Sequence, residues 1–112
     1  MEFSELPEFA HDLKRLKKKY LSLGDDIEFL KGVLGQFPEG RGEKHWNCLH
    51  REEKVSIHKT RLACRYLRAT TMRIVYAYHV ETGRIVLIEL YYKSDKENED
   101  QNRIKQYLKN SI

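Results

Sequence analysis

The feature that most constrains the fold is a change in the spacing of apolar residues near residue 44. Before this point apolar residues recur every three or four positions, which is the period of an amphipathic helix. After it they alternate with polar residues, as in a strand that is buried on one side. Neither pattern can bury its apolar surface alone, so we expect an α+β protein in which helices cover a sheet.

Two helices are predicted in the first third of the chain, after a segment before Pro7 that is compatible with a short strand. Pro7 suits the first turn of a helix, where its missing N–H is not needed. The apolar stripe of the first helix, which ends at Gly24, is Phe9, Leu13, Leu16, Tyr20 and Leu23. The stripe of the second helix, which Asp25 or Asp26 caps, is Ile27, Leu30, Leu34 and Phe37. This arrangement predicts an antiparallel helical hairpin.

The next segment is a loop followed by a strand whose apolar phase changes. Pro38 to Lys44 is a loop by composition. In the strand, Val55 and Ile57 share one phase, whereas later apolar residues share the other; these are Leu62, Cys64 and Tyr66. Because alternate residues point to opposite faces, the change predicts a bulge or a break between Lys59 and Arg61.

Two further strands and a helix complete the predicted fold. Residues Arg73 to Val80 and Arg84 to Tyr92 are rich in β-branched and aromatic residues, and Glu81 to Gly83 forms the turn between them. The second of these strands is the most apolar and is expected to be central. Ser94 and Glu97 have the spacing of a capping box, which predicts a helix from about Asp95 to Lys109. The expected order over residues 1–112, taken as a single domain, is β-α-α-β-β-β-α, with an antiparallel sheet.

The positive charge is concentrated in one part of the chain. The net charge is +4, but residues 41–73 contain nine Lys and Arg against three Glu, whereas residues 1–37 contain six against seven acidic residues. A basic excess confined to one segment is typical of a phosphate-binding surface. The alternative is a solvated sheet face whose arginines pair with Glu52, Glu53 or Glu89.

Several kinds of chemistry have no support in the sequence. Cys48 and Cys64 fit no metal or redox motif, and the spacings of the five histidines match no zinc site, so no cofactor or metal is expected. No phosphate-binding glycine loop is present, and no apolar run approaches the ~20 residues that span a membrane. A cytoplasmic protein with reduced thiols and no membrane partner is expected.

The remaining candidates are arginines interleaved with aromatic residues. Arg61, Arg65, Arg68 and Arg73 fall close together, with Lys59 just upstream. The planar guanidinium binds phosphate through two parallel hydrogen bonds and stays charged when partly buried. Aromatic rings beside arginines stack single-stranded RNA bases, and Trp46 and Tyr91 are candidates for this role among several tyrosines that also suit a core.

Three segments resemble the RelE/ParE superfamily of toxins from bacterial type II toxin–antitoxin systems. Phe9 to Tyr20 is similar to the lysine-rich first helix of these toxins. Tyr66-Leu67-Arg68 followed by Arg73 to Tyr78 resembles their basic strand and the Arg-hydrophobic-hydrophobic-Tyr strand after it. Ile88 to Lys96 resembles their last strand, which ends in a lysine. The similarity covers nearly the whole chain, and no single motif is specific.

The resemblance implies a fold and an activity. The fold would be a curled antiparallel sheet with the helical hairpin on one face and a basic groove on the other. The activity would be that of a RelE-like mRNA interferase, a metal-independent endoribonuclease that cleaves mRNA, commonly on the ribosome. In this reaction the RNA 2′-hydroxyl attacks the adjacent phosphorus, which requires a base, an acid and cations for the developing charge.

Site residues are carried over from the resemblance by position. Arg73 matches the arginine that holds the scissile phosphate. Arg65 and Arg68 match basic residues of the preceding strand, and Lys93 matches the cation that ends the last strand. Lys59 and Arg61 are expected additional RNA contacts without a firm counterpart in the family. The other expected RNA contacts are Lys96, Trp46 and Tyr91. Where some members have a catalytic tyrosine or histidine, this chain has Ser94-Asp95-Lys96. Glu89 and Asp95 stay open as bases, and Tyr91 and Tyr107 as acids.

Two other functions stay open beside the ribonuclease. One is a ParE-like protein that inhibits DNA gyrase by protein contact, and the other is a non-enzymatic RNA-binding regulator of translation. The clustered Arg65, Arg68 and Arg73 favour the ribonuclease, because a gyrase inhibitor does not need a phosphate site. Both toxin interpretations imply a cognate antitoxin that covers the basic surface in a hetero-oligomer, with acidic residues and an amphipathic helix or strand.

Overall fold

The computed structural model describes residues 1–66 and 72–111. The secondary structure elements in this part of the chain are β1 (Glu2–Glu5), α1 (Pro7–Lys17), α2 (Leu23–Gln36), β2 (Trp46–Arg51), β3 (Val55–Leu62), β4 (Met72–His79), β5 (Arg84–Tyr92) and α3 (Gln101–Asn110). The α+β fold, with a helical hairpin before the sheet and a helix after it, is therefore confirmed.

The five strands form one open sheet in the order β1-β5-β4-β3-β2. Pairing is antiparallel throughout except that β1 runs parallel to β5, so the sheet is mixed where an antiparallel one was expected. Strand β2 was missed, because its residues alternate poorly between polar and apolar and it forms an edge. As predicted, β5 is an interior strand, although β4 lies in the middle.

Each face of the sheet has its own core. On the hairpin face, α1 and α2 pack against the sheet; the buried side chains include Phe9, Leu16, Leu23, Ile27, Leu34, Ile74, Tyr76, Leu87 and Leu90. On the opposite face, Ile104 and Tyr107 of α3 pack against a smaller apolar group that consists of Val55, Ile57, Val75, Ala77, Val86, Ile88 and Tyr91. The helix α3 therefore covers only part of the opposite face.

Strand β3 explains the change of apolar phase without the expected bulge. Its residues pair with β4 continuously from Val55, opposite His79, to Leu62, opposite Met72. Val55 belongs to the core under α3, whereas Leu62 belongs to the core under the hairpin. The prediction of a bulge or break between Lys59 and Arg61 is wrong, because the face that is apolar changes along the strand while the backbone stays regular.

The hairpin turn lies earlier than predicted. Helix α1 ends at Lys17, and Gly24 lies in the first turn of α2, so Gly24 does not end the first helix. The Ser22 hydroxyl donates to the Asp26 carboxylate at 2.7 Å and accepts the Tyr66 backbone N–H at 3.0 Å. These contacts with a remote segment fix the start of α2 at a place that the local apolar stripe does not reveal.

The last helix begins later than predicted, and it is attached to the free edge of β5. Asp100 caps α3 by accepting the Arg103 N–H at 3.0 Å, so the capping box at Ser94 is wrong. Strand β1 pairs with β5 only as far as Leu87. Beyond it, Asp12 accepts the Leu90 N–H at 3.1 Å, and Arg103 donates to Ile88 O at 3.0 Å and to Asp12 at 2.6 Å.

Candidate functional site

Basic side chains meet at the end of the sheet face that α3 leaves uncovered. In the strand register Arg61 of β3 lies opposite Arg73 of β4, and Arg73 lies opposite Tyr91 of β5. Directly opposed residues of antiparallel strands project to the same side. Lys93 follows the end of β5. Its charge acts on the pKa of His45, as do the charges of Arg61 and Arg73. We call Arg61, Arg73 and Lys93 the cationic cluster.

The next pairs along these strands form a polar border between the cationic cluster and the apolar contacts of α3. Lys59 donates to the Glu99 carboxylate at 2.7 Å, and both side chains are mostly buried. Glu89, 1% exposed, accepts the Asp100 N–H at 2.8 Å and a hydrogen bond from Lys96. These pairs hold the segment between β5 and α3 against the sheet.

Two members of the cationic cluster have no carboxylate partner among the described residues. In the described part of the chain, neither Arg61 nor Lys93 forms an ion pair, and both are exposed. Arg73 is 6% exposed, and its pKa is lowered by desolvation and by the adjacent charge of Arg61. Like charges placed directly opposite each other oppose folding, so an anion bound here would relieve an existing repulsion.

Tyr91 and Glu99 have perturbed acidities at the border of the cluster. Burial, with the nearby Glu99 and Glu89 charges, raises the pKa of Tyr91 to about 12, although Arg73 acts in the other direction. For Glu99, desolvation alone would raise the pKa, but the hydrogen bond and charge of Lys59 contribute to a net lowering. Tyr91 therefore remains a neutral phenol at neutral pH and Glu99 remains a carboxylate.

Some residues predicted for the site lie elsewhere. The Arg65 side chain donates to Asp26 at 3.1 Å and to Asp25 at 3.4 Å at the start of α2, on the hairpin side. The Trp46 indole N–H donates to the Tyr76 hydroxyl at 2.9 Å and the ring packs against the hairpin-face core, so it has a structural role. Arg68 lies outside the described residues. The predicted residues that the structure brings together are Arg73, Lys93, Lys59, Arg61, Lys96 and Tyr91.

The acid and base candidates named from sequence are mostly engaged or distant. Glu89 is held by Lys96 and the Asp100 N–H. Tyr107 shares a hydrogen bond of 2.5 Å with His79, at the end of β4 away from the cationic cluster. Asp95 lies in the exposed turn after β5. Of this group only Tyr91 lies directly beside Arg73.

Sequence reasoning missed His45 as a residue of this site. It lies in the turn before β2, which the Trp46 N–H closes by donating to Glu43 O at 3.1 Å. Desolvation and the charges of Arg61, Arg73, Lys44 and Lys93 lower the pKa of His45. Its position one residue before a strand could have indicated it, but β2 itself was not predicted from the sequence.

Neither a family model nor a curated protein sequence matches the chain significantly. A solved structure does match: the crystal structure of the archaeal RelE–RelB complex from Pyrococcus horikoshii OT3 contains a chain with a TM-score of 0.62, which covers 82% of this chain and 93% of its own length. The chain has the RelE-like fold. The sequence identity is 16%, so the likeness concerns the fold, and the roles of individual residues depend on the geometry described above.

The RelE-like fold expected from the three sequence segments is therefore confirmed. Among the described residues, no three His, Cys, Asp or Glu side chains are grouped in a way that could hold a metal ion. None of the described helices has the length and apolar character needed to cross a bilayer.

Proposed function

We propose that the chain is the toxin of a toxin–antitoxin pair and that it cleaves mRNA without a metal. The 2′-hydroxyl of the RNA attacks the adjacent phosphorus while the protein stabilises the charge that develops there. The observation that carries the proposal is the cationic cluster, whose three basic groups converge without carboxylate partners for Arg61 and Lys93. A phosphate would be the partner that the described residues do not supply to Arg61 and Lys93.

The cluster suggests a division of roles around the phosphate. Arg61 and Lys93 are exposed and would contact the non-bridging oxygens first. Arg73 lies below them, largely buried, where its charge is less screened by water and acts more strongly on the phosphorus. Lys59 and Lys96 are engaged by Glu99 and Glu89, so their contribution is to shape the border of the site.

An antitoxin and a ribosome-bound mRNA complete the proposal. The structure with the same fold is a complex of RelE with RelB. We propose that this chain likewise has a partner protein that covers the cationic cluster with acidic residues and thereby blocks RNA. Free toxin would act in the cytoplasm on mRNA at the ribosome, inhibit translation and arrest growth.

The test compares three proteins expressed under tight control: wild type, Arg73→Ala and Arg51→Ala. Arg51 is a matched control, since it is exposed on the same sheet but pairs with Glu39 away from the cluster. Mapping of mRNA ends after induction should show new cleavage sites with wild type and Arg51→Ala. The rate with Arg73→Ala should fall on the order of 10²–10³.

Other outcomes would separate the competing functions. Growth arrest with intact mRNA would refute the ribonuclease and favour inhibition of DNA gyrase by protein contact. Binding of RNA with no new ends and no arrest would favour a non-enzymatic regulator. Equal cleavage by Arg73→Ala and wild type would refute the role of Arg73.

A further inference from the structure

We propose that Lys59 forms a second phosphate subsite beside the cationic cluster and that the Glu99 carboxylate occupies this subsite in the free protein. The proposal rests on the proposed ribonuclease function, which puts the scissile phosphate at the cluster, and it adds the next phosphate of the same RNA strand. RNA that extends past the cluster displaces Glu99 from Lys59. Glu99 therefore competes with the substrate and lowers the affinity of the protein for RNA.

The strand register places Lys59 next to the cationic cluster on the same face of the sheet. Lys59 lies opposite Val75, and Arg61 lies opposite Arg73, so the two basic residues are two positions apart on β3. Such residues point to the same side of a strand and lie roughly 6.8 Å apart along it. Proteins follow the backbone of a single-stranded nucleic acid with a groove of positive charges. An RNA strand with one phosphate at Arg61 therefore brings its next phosphate toward Lys59.

The ammonium group of Lys59 already has an anionic partner in the free protein. Its Nζ donates to Glu99 Oε1 at 2.7 Å, and both side chains are mostly buried. Desolvation opposes the charged form of Glu99, but the hydrogen bond and the charge of Lys59 contribute to a net lowering of its pKa. Glu99 is thus a carboxylate at neutral pH. It offers Lys59 the kind of ligand that a phosphate also offers, which is an anionic oxygen.

The segment that contains Glu99 is held by contacts other than the one with Lys59. The backbone N–H of Asp100 donates to the Glu89 carboxylate on β5 at 2.8 Å. Gln101 donates to the second carboxylate oxygen of Glu99 at 2.5 Å. The Glu99 side chain can therefore turn away from Lys59 while the backbone of the segment stays attached to the sheet. The exchange needs a change of side-chain conformation and no movement of α3.

The neighbouring ion pair between Lys96 and Glu89 does not fit this role. Glu89 is 1% exposed and also accepts the Asp100 N–H, so removing Lys96 would leave a charge buried in the sheet. Glu99, in contrast, follows the exposed residues 93–98, so its released carboxylate can reach water. One anionic oxygen replaces another at Lys59, and the displaced charge is solvated again. The Lys59 pair is therefore the one that a phosphate can open.

The experiment measures the affinity of two 2′-deoxy probes that cannot be cleaved, by NMR titration of the protein. One is a dinucleotide with a single phosphodiester, and the other is a trinucleotide with two. The ratio of trinucleotide affinity to dinucleotide affinity isolates the contribution of the second phosphate. Glu99→Gln removes the competing charge, so this ratio should rise roughly 3–10-fold over wild type. That range reaches above the effect of exposed ion pairs, because this pair is mostly buried.

Two further variants control for the change in net charge. Glu39→Gln alters the net charge by the same amount and releases Arg51 from its ion pair of 2.5 Å, away from the cluster. Its affinity ratio should equal that of wild type. The double variant Lys59→Gln/Glu99→Gln should lose the gain of Glu99→Gln, because it removes the subsite itself.

Failure of this inference and failure of the ribonuclease proposal give different results. If both probes bind and Glu99→Gln raises the affinity ratio no more than Glu39→Gln does, Glu99 does not occupy a phosphate subsite, and the ribonuclease stands. A gain that persists in the double variant would also overturn the inference. If neither probe binds to any of these proteins, the cluster is not a phosphate site and the inference fails. Mapping of mRNA ends then decides separately whether the chain is a ribonuclease.

Glu99→Asp keeps the inference testable if Glu99→Gln does not fold. It leaves the net charge unchanged and shortens the side chain by one methylene, which draws the carboxylate back from Lys59. The affinity ratio should therefore rise, though by less than in Glu99→Gln. A ratio for Glu99→Asp at or below that of wild type would contradict the proposed competition.

Discussion

Neutralising Arg61 should make the protein more stable, although Arg61 is proposed to serve its activity. Arg61 lies opposite Arg73 on the neighbouring strand, and no carboxylate of the described residues pairs with Arg61. The substitution Arg61→Gln keeps most of the aliphatic stem and removes the repulsion. Residues that serve a function at a cost in stability are expected at binding sites, and this pair would be one of them.

The size of the effect follows from the geometry. Like charges directly opposite each other on adjacent strands disfavour the fold by roughly 0.2–1 kcal/mol. Arg61 is exposed and solvent screens it, so the expected gain in the free energy of unfolding is about 0.3–0.5 kcal/mol at low salt. The Debye length falls from about 30 Å at 0.01 M salt to about 3 Å at 1 M, so the gain should largely disappear at high salt.

The assay is urea unfolding at both salt concentrations, with Arg51→Gln as the control. Both substitutions remove one positive charge from an exposed strand position, so they change the net charge equally. Arg51, however, donates to Glu39 at 2.5 Å, and its pKa is raised by this partner. Arg51→Gln should therefore be neutral or slightly destabilising at low salt, which is the opposite sign.

A change of the same sign in the unfolding free energies of both variants would contradict a repulsion between Arg61 and Arg73. If Arg61→Gln lowers the free energy of unfolding, or if its effect does not depend on salt, the cluster is not a site of unrelieved repulsion. The anion site inferred from it would then lose its main support. A parallel measurement with inorganic phosphate should raise the unfolding midpoint of wild type more than that of Arg61→Gln.

Two further predictions concern stability alone. Asp12→Ala leaves the Leu90 N–H without its acceptor and Arg103 without its ion-pair partner. The free energy of unfolding in urea should therefore fall by about 3–5 kcal/mol. A loss below ~1 kcal/mol would show that α3 is not attached through this contact. His58 is buried, and its pKa is lowered by desolvation, so protonation favours the unfolded state and stability should fall as the pH drops below 6.5. The decline should be shallower in His58→Gln, and equal slopes in urea titrations at pH 7 and 5 would contradict this.

The sequence was sufficient to predict those elements whose pattern of apolar residues reflects which residues are buried. The stripe of the hairpin predicted its core-facing residues, such as Phe9 and Leu34, because helix packing depends on a local period. The ends of these helices were not predictable in the same way. The turn before α2 depends on Ser22 and Asp26 binding residues some 40 positions away, and α3 starts where Glu89 holds the Asp100 N–H. Local propensity contains no information about such partners.

The residues of the candidate site could be predicted from the sequence only where the order of the strands could be predicted. Arg73 and Lys93 lie at the start of β4 and just past the end of β5, so the β4–β5 hairpin brings them together by its antiparallel register alone. Arg65, close to them in sequence, pairs with Asp25 and Asp26 on the other side of the sheet. Arg65 was predicted to belong to the cluster because it is close to it in sequence. Strand β3 ends at Leu62, however, so Arg65 does not lie on the sheet.

The position of the cluster follows from how far α3 can cover the sheet. The buried residues of α3 are Ile104 and Tyr107, and they lie over the Val55 end of β3. Toward its other end the same face changes from Ile57 to Lys59 and Arg61, and there the segment before α3 supplies Glu99 in place of apolar side chains. The phase change in β3 therefore marks where the buried face ends and the charged face begins. Antiparallel pairing aligns Arg61, at this charged end of β3, with Arg73 of β4 and the end of β5. The polar site at this corner of the sheet is therefore a consequence of a short helix α3 and a regular strand register.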